Sequence, residues 1–286
     1  MGPRAGTMDR ETQIAKAQAF RNMHDRSAVL LLPNAWDAGS ARLLTRHGFT
    51  AIATTSGGLA WSLGYADGEQ APLSEVLAAI ARITRVVELP VTVDMETGYG
   101  DTLAAVGASV RAVIAAGAVG INLEDGLLGH RGLRSRTEAA ARIDAARKAA
   151  TATGVPIVIN ARVDTCIQHP GDCSASCFDD TVQRAQAYLA AGADCVYPMA
   201  LRDGPTLQAL VNAIDAPVNV TAGPGVPDRV ELARLGIARV STATRLATVA
   251  LAAVDHAAAE LLASGRFDCL ASSFSYLDAQ RLFSGA

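Results

Sequence analysis

Eight short apolar runs recur along the chain, and each is followed by a stretch with the apolar spacing of an amphipathic helix. The runs cover residues 29–32, 50–54, 91–94, 119–123, 156–160, 194–197, 217–220 and 238–241. The helical stretches that alternate with them cover 37–47, 74–88, 102–116, 137–153, 179–191, 205–214, 227–235 and 245–263. The runs are unbroken and rich in Val and Ile, as strands buried on both faces should be. Gly48, Gly117, Gly154, Gly192 and Gly236 sit where five of the helices should stop, in the left-handed position that other residues resist. Eight such units predict an α/β fold of the (β/α)8 TIM-barrel type. An open Rossmann-like sheet is the weaker alternative, because no GxGxxG follows the first run. An extra helix is expected over 13–23, within an N-terminal extension of residues 1–28. A tail over 266–286 carries Phe267, Leu270, Phe274, Leu277 and Phe283 at mostly helical spacing. With no linker and no low-complexity segment, the reading is one barrel domain over 1–286.

Composition narrows the function. Half of the 286 residues are hydrophobic and 19% are charged, which suits a large core and not a disordered chain. A net charge of −3 with 5% aromatics argues against nucleic acid or a membrane surface as partner. Five cysteines are few and odd in number, so a disulfide framework is not expected and a reducing cytoplasm is. The first residues have no apolar signal segment, and no charge-free run of about 18 apolar residues predicts a membrane span.

Polar residues gather where a barrel has its mouth, just after the apolar runs. Thr55, Ser56 and Gly57 follow the second run and offer hydroxyls and open N–H groups to an anion, or make a plain turn. Asp94 and Glu96 end the third, two apart and so expected on one strand face. Glu124 and Asp125 end the fourth, and Asn160, Arg162 and Asp164 end the fifth. Asn219 and Thr221 end the seventh, Ser241 and Thr242 the eighth. Converging carboxylates repel, and a hard divalent cation relieves them; capping of helices or pairing with arginines would also explain them. Arg162 suits a bidentate clamp on a carboxylate or phosphonate, or an ion pair with one of the acids. Gly223-Pro224-Gly225 lies where many barrels bind phosphate, but the signal is weak and the stretch reads first as a turn. Cys166, His169, Cys173 and Cys177 match no common zinc spacing, so no metal is expected there. Cys195 and Cys269 read as packing residues. None of the five histidines stands in a nucleophile motif and no GxSxG occurs, which excludes a Ser hydrolase of that type; His130 is the one in a loop near the acids.

Several of these stretches resemble the isocitrate lyase/phosphoenolpyruvate mutase superfamily, in its phosphonomutase-like branch. They are Leu32-Pro33-Asn34-Ala35-Trp36-Asp37-Ala38, Thr54-Thr55-Ser56-Gly57, Gly64-Tyr65-Ala66-Asp67, Val93-Asp94-Met95-Glu96-Thr97-Gly98-Tyr99-Gly100, Ile121-Asn122-Leu123-Glu124-Asp125-Gly126 and Asn160-Ala161-Arg162-Val163-Asp164. The resemblance runs from about residue 30 to 247. It implies a barrel with Mg²⁺, or Mn²⁺, at the strand ends, with Asp94 as direct ligand and Asp67, Glu96 and Glu124 around the metal-bound waters. It implies that Thr55, Ser56 and Gly57 hold a substrate carboxylate, with Asn219 as a further substrate contact. Arg162 would stabilise developing negative charge, and the chemistry would run through a pyruvate enolate or related oxyanion held on the metal. It also implies a homo-oligomer, tetramer or dimer, with terminal helices exchanged between subunits.

The segment after the fourth run departs from that family. The isocitrate and methylisocitrate lyases carry K-[KR]-C-G-H there, with a Cys for proton transfer, and the mutases and phosphonopyruvate hydrolases usually carry Lys and Asn. This chain reads Gly126-Leu127-Leu128-Gly129-His130-Arg131-Gly132. Glu124, Arg162 and His130 are then the candidates for proton and charge handling. The expected function is a Mg²⁺-dependent lyase or decarboxylase that breaks a C–C bond in a small 2-oxo or 2-hydroxy dicarboxylic acid. P–C bond chemistry is the alternative on the same scaffold, and a non-catalytic barrel that binds a small acid is the alternative of another class.

Overall fold

Pro33 follows the first apolar run and separates two short strands, β1 (Leu30–Leu32) within it and β2 (Asn34–Ala35) beyond it, because proline has no N–H to give the ladder. The computed structural model describes residues 9–129, 131–168, 175–272 and 274–284. A helix α1 (Arg10–Asn22) precedes the strands. Then come α2 (Ala38–Arg46), β3 (Ile52–Thr54), α3 (Ser56–Leu63), α4 (Leu73–Val86), β4 (Val91–Asp94), α5 (Leu103–Ala115), β5 (Gly120–Glu124) and α6 (Arg136–Thr153). The second half continues with β6 (Val158–Val163), α7 (Thr165–Gln168), α8 (Ala175–Ala190), β7 (Cys195–Pro198), α9 (Gly204–Ala213), β8 (Asn219–Thr221), α10 (Arg229–Arg234), β9 (Arg239–Ser241) and α11 (Arg245–Ser264). A 3₁₀ turn (Asp268–Leu270) and α12 (Tyr276–Phe283) form the tail.

All pairings between these strands are parallel. One ladder runs β2-β3-β4-β5-β6-β7 and another β8-β9-β1. A single parallel bridge, Val196 to Val218, joins β7 to β8, and the chain itself joins β1 to β2 through Pro33. The order thus returns to its start, as in a (β/α)8 barrel. The helices bury one face each: Ile80 and Ile83 of α4, Val110 and Ile114 of α5, and Ala146 and Ala150 of α6 are buried outside the strands. Each large aliphatic side chain buried this way contributes about 1.5–3 kcal/mol. Local signals set the helix starts. Asp37 accepts from the Ser40 N–H while the Ser40 hydroxyl receives the Asp37 N–H, and Asp203 and Asp228 cap α9 and α10 alone.

The helix α1 closes the end of the barrel away from the acids. Its Gln13 side chain donates to the carbonyls of Ile114 and Ala118 at 2.7 and 2.9 Å. Phe20 is fully buried at the start of β5, where a Cβ on Gly120 would stand 2.8 Å from the ring and 2.7 Å from the Thr92 hydroxyl. Only glycine fits that approach.

One expectation changes. The segment after Thr54, where the sequence predicts an anion seat or a turn and no helix, contains α3, which the Gly57-Gly58 pair disguises because glycine disfavours helix interiors. By length and composition alone α11 is apolar enough to cross a bilayer, but Asp255 and Glu260 lie in its apolar window, so it is not the charge-free run sought in the sequence. Its apolar side chains stand exposed on the barrel and not inside it, Val249 at 66%, Leu251 at 55% and Leu262 at 91%. The tail turns back onto α2, where Leu282 is buried and its carbonyl receives the Arg42 guanidinium.

Candidate active site

Asp94 is the last residue of β4, and its N–H donates to the Thr54 hydroxyl at 3.0 Å on the neighbouring strand. Its carboxylate faces two backbone donors, Ser56 N–H and Glu96 N–H, each at 3.4 Å. Glu96 does not share a strand face with Asp94 as the spacing suggested, since β4 ends at Asp94. Glu96 instead takes a left-handed conformation, φ 49°, and the loop turns its carboxylate inward. Such a conformation costs a non-glycine residue about 1–3 kcal/mol and persists only where neighbours over-determine it. Here they do. Glu96 accepts from the Glu69 N–H at 2.8 Å and from the Tyr99 hydroxyl at 3.0 Å. Glu69 in turn accepts from the Thr97 N–H, the Thr97 hydroxyl and the Tyr99 N–H at 2.9, 2.7 and 3.0 Å. Glu69 and Tyr99 are themselves left-handed, so three strained residues share one hydrogen-bonded knot behind the acids.

Asp67 stands in the exposed loop after α3, and a Cβ on Gly57 would come within 3.1 Å of its Oδ2. Its carboxylate therefore rests on the Thr55-Ser56-Gly57 turn, beside Asp94. The parallel register of β5 and β6 sets Glu124 opposite Arg162, and the two form an ion pair at 2.6 Å. Arg162 also grips Asp164 with both arms, Nε at 2.7 Å and Nη2 at 2.9 Å. Asp164 is held from behind by Asp125, which accepts its N–H at 3.0 Å, the Tyr188 hydroxyl at 2.7 Å and the Arg184 guanidinium at 3.2 Å.

The carboxylates raise one another. Burial pushes Asp94 up from its ordinary value; Arg162 pulls it down and Asp67 pushes it further up. Burial, with Asp94 and Asp67, lifts Glu96 to about 7. Burial also lifts Glu124 against the pull of Arg162, with Asp164, Asp94 and Glu96 adding to the rise. Arg162 stays protonated well above the usual range: burial works against its charge, and Glu124 and Asp164 outweigh it. Four hard oxygen donors in mutual repulsion fit a divalent cation that keeps most of its waters. Among the described residues no three His, Cys, Asp or Glu side chains close into a direct cage, so the donor set fits one direct carboxylate with the others around it.

Below the mouth, residues two earlier on four of these strands form a polar layer. Asn122 accepts from Asn160 at 2.9 Å and from Arg239 at 3.2 Å; Arg239 and Asn219 both bond to Ser241. Asn219, expected to touch substrate, is fully buried in this layer beneath Thr221, and its Nδ2 has no protein partner among the described residues. Barrel interiors are ordinarily filled by branched apolar side chains, and nothing in the sequence pattern separates these polar ones from mouth residues.

The segment after β5 forms a small antiparallel turn, with Gly126 bridged to Leu133. His130 lies outside the described residues, as do His169 and Cys173. Cys166 and Cys177 stand 3.0 Å apart, sulfur to sulfur, buried between α7 and α8. Cys195 is buried in β7.

The chain is similar to several known proteins. The chain is 32% identical to the 2-methylisocitrate lyase of Escherichia coli over 212 residues, 71% of this chain and 69% of that protein. It is 30% identical to an oxaloacetate decarboxylase of Rhodopseudomonas palustris over 260 residues, 84% and 85% of the two. A crystal structure from Burkholderia cenocepacia, described as a candidate lyase or mutase, superposes with a TM-score of 0.88 at 37% identity over 96% of this chain and 98% of that one. Phosphonopyruvate hydrolase, in complex with oxalate and Mg²⁺, superposes with a TM-score of 0.81 at 25% identity over 93% and 94%. The profile of the phosphoenolpyruvate phosphomutase family matches residues 20–262, so the chain belongs to that family, within the isocitrate lyase/phosphoenolpyruvate mutase superfamily.

Proposed function

We propose that this chain is a Mg²⁺-dependent enzyme that breaks a C–C bond in a small 2-oxo or 2-hydroxy dicarboxylic acid. The observation that carries the reading is the convergence of four carboxylates, Asp67, Asp94, Glu96 and Glu124, beside the Arg162 guanidinium, with Asp94, Glu96 and Glu124 lifted above their ordinary values by burial and by neighbouring acids. Asp94 would hold the ion directly, with Asp67, Glu96 and Glu124 around it, and Mn²⁺ could replace Mg²⁺. When bound, the ion supplies Lewis-acid stabilisation of negative charge developing on a substrate oxygen. The chain does the rest. Thr55, Ser56 and Gly57 receive the substrate carboxylate. The Ser56 N–H already faces the Asp94 carboxylate, so that seat adjoins the metal seat. Arg162 keeps its proton and is aimed by Asp164, so it adds a fixed positive charge at the oxyanion. Glu124, raised by burial, can hold a proton there, and His130 is the remaining candidate for proton transfer from the segment after β5.

That segment lacks the lyase Cys, and decarboxylation needs no base for a substrate hydroxyl. We therefore place a decarboxylase slightly ahead of an aldol-type lyase, and expect no authentic isocitrate lyase activity. The similarity to an oxaloacetate decarboxylase and to 2-methylisocitrate lyases supports C–C chemistry. The likeness to phosphonopyruvate hydrolase supports the P–C reading, which the missing Lys and Asn disfavour. The intact acid set favours an enzyme over a binding-only barrel. One panel decides: oxaloacetate, methylisocitrate, dimethylmalate and phosphonopyruvate, each with Mg²⁺, read by pyruvate release. Phosphonopyruvate as best substrate would replace the C–C reading, and turnover of none would leave the binding barrel. In the same reading the chain is one barrel domain in the cytoplasm, assembled as a dimer or tetramer through α11.

A further inference from the structure

We propose that Cys166 and Cys177 are a redox modification site, where a hydroperoxide converts two thiols to a disulfide that latches α7 to α8 beside the mouth. The two sulfurs lie 3.0 Å apart, 11 positions apart along the chain, and both side chains are buried. A disulfide needs about 2.0 Å between sulfurs, so the bond closes with a shift of about 1 Å. The helices that carry the thiols are already docked. The Thr165 hydroxyl of α7 donates to Asp180 of α8 at 3.0 Å. The Thr181 hydroxyl donates to the Cys177 carbonyl at 2.8 Å and stands 3.7 Å from the Cys166 sulfur. Among the described residues only this pair of cysteines is in sulfur–sulfur contact. Cys195 makes the contrast: its sulfur reaches only the Val196 carbonyl, and burial pushes its thiol up to about 12. The thiolate is the reactive form, so Cys195 stays reduced.

The chemistry balances with the peroxide as oxidant. One sulfur attacks the peroxide and its O–O bond breaks. One oxygen stays on that sulfur as a sulfenic acid, and the other departs with the thiol proton as water or an alcohol. The second sulfur then attacks the first, the S–S bond forms, and the sulfenic oxygen leaves with the second thiol proton as water. Two electrons have passed from the thiol pair to the peroxide. In a reducing compartment such a bond is transient, a sensor and not a framework. Its position gives it reach. Cys166 follows Asp164 by two residues, and Asp164 holds Arg162 with both arms. At the other end of α7 the Gln168 side chain accepts the Gly132 N–H at 3.0 Å, from the segment after β5. A latched α7 therefore fixes two supports of the mouth, whichever bond the enzyme breaks in its substrate.

The test is treatment of the reduced full chain with hydrogen peroxide, followed by intact mass, peptide mapping and melting. The protein should become lighter by two hydrogens, and a thiol reductant should restore its mass. Cleavage before Asp172 parts Cys166 from Cys177, so the two fragments should stay joined until they are reduced. Cys173→Ser should form the link as wild type does, while Cys166→Ser and Cys177→Ser should not. The oxidised form should melt about 5 °C above the reduced form, the order expected for closing a short loop in a chain of this size. The Gly132 amide should exchange more slowly in the oxidised form, because its acceptor is carried on the latched helix. Each variant is compared with its own reduced form, which separates the latch from any cost of the serine itself. A mass that never falls by two hydrogens overturns the assignment, and so does a link that requires Cys173. A link that leaves either the melting temperature or the Gly132 exchange unchanged overturns the latch.

Discussion

Arg162 and Glu124 face each other across the β5–β6 ladder at 2.6 Å, while the other arms of the same guanidinium hold Asp164. One side chain therefore joins the acid cluster to the strand end beside it. The pair is buried, so its attraction is opposed by the loss of hydration, and its geometry matters more than its count as an ion pair. The planar fork lets one cation satisfy two carboxylates while charge remains directed at the mouth.

From this follows a test of the fork. Arg162→Lys keeps the charge but offers a point in place of a plane, so it cannot hold Asp164 with two arms and also reach Glu124. We expect kcat/KM on the best substrate of the panel to fall about 10²-fold or more, on the scale of one lost oxyanion donor. Unchanged steady-state kinetics would show that Arg162 serves structure alone.

Asp94→Ala should separate metal binding from folding. In chelator, the variant should melt no lower than wild type, because it removes a buried carboxylate that its neighbours repel. Addition of Mg²⁺ should raise the melting temperature of wild type, since a ligand bound only by the folded state stabilises it, and should leave the variant unmoved. Turnover should drop by orders of magnitude. Full activity of wild type in excess chelator would remove the metal from the mechanism.

The fold was largely legible because its period is simple. Each of the eight apolar runs contains a strand, with ends displaced by at most a few residues, and the glycines after the helices sit at positive φ, as at Gly48 and Gly154. Asp94, Glu124 and Arg162 were legible because strand ends in a barrel face one mouth. Glu69 and Tyr99 were not, because their role comes from a left-handed loop that no period encodes. Arg239 was hidden for another reason: an arginine flanked by Val and Ala in an apolar run looks like an edge, yet it is fully buried in the barrel.

Glu69 offers a direct measure of that hidden knot. Glu69→Ala would strip the acceptor from the Thr97 N–H and hydroxyl and the Tyr99 N–H. Buried donors left unpaired cost about 1–3 kcal/mol, so thermal unfolding should report a loss of that order. Glu96 would lose its fixed approach, so the Mg²⁺ needed for half-maximal activity should rise. A variant with unaltered stability and Mg²⁺ requirement would show that the knot is ornamental.

His24 should make stability depend on pH. It is buried against Phe20, ring centroids 4.8 Å apart, and burial, aided by Arg239, lowers its value from 6.5 to about 4. The unfolded chain therefore binds a proton below pH 6.5 that the folded chain refuses until about pH 4. The contribution of neutral His24 is complete above the unfolded value and is lost as pH falls through that window, by about 3 kcal/mol at its end. Denaturant unfolding at pH 7.5 and 4.5 should show a smaller pH-dependent loss in His24→Gln than in wild type. Equal losses would mean that His24 titrates normally.

The exposed helix α11 should report assembly. Leu251 and Leu262 lie on one side and Val249 on the other, so apolar surface is exposed on both faces of a 20-residue helix. A helix apolar all round belongs in a protein interior or a membrane, and Asp255 and Glu260 within this one disfavour the bilayer. A second copy of the chain can cover it, as the family resemblance implies. Light scattering at micromolar concentration should give a dimer or tetramer without detergent. Leu251→Glu with Leu262→Glu should shift the mass toward the monomer, because burying two unpaired charges costs several kcal/mol at such a contact. The shift should depend on protein concentration, since association is a mass-action equilibrium. A wild-type monomer under these conditions would refute the assignment. Recovery of the chain only in detergent micelles would point to a membrane in place of a partner.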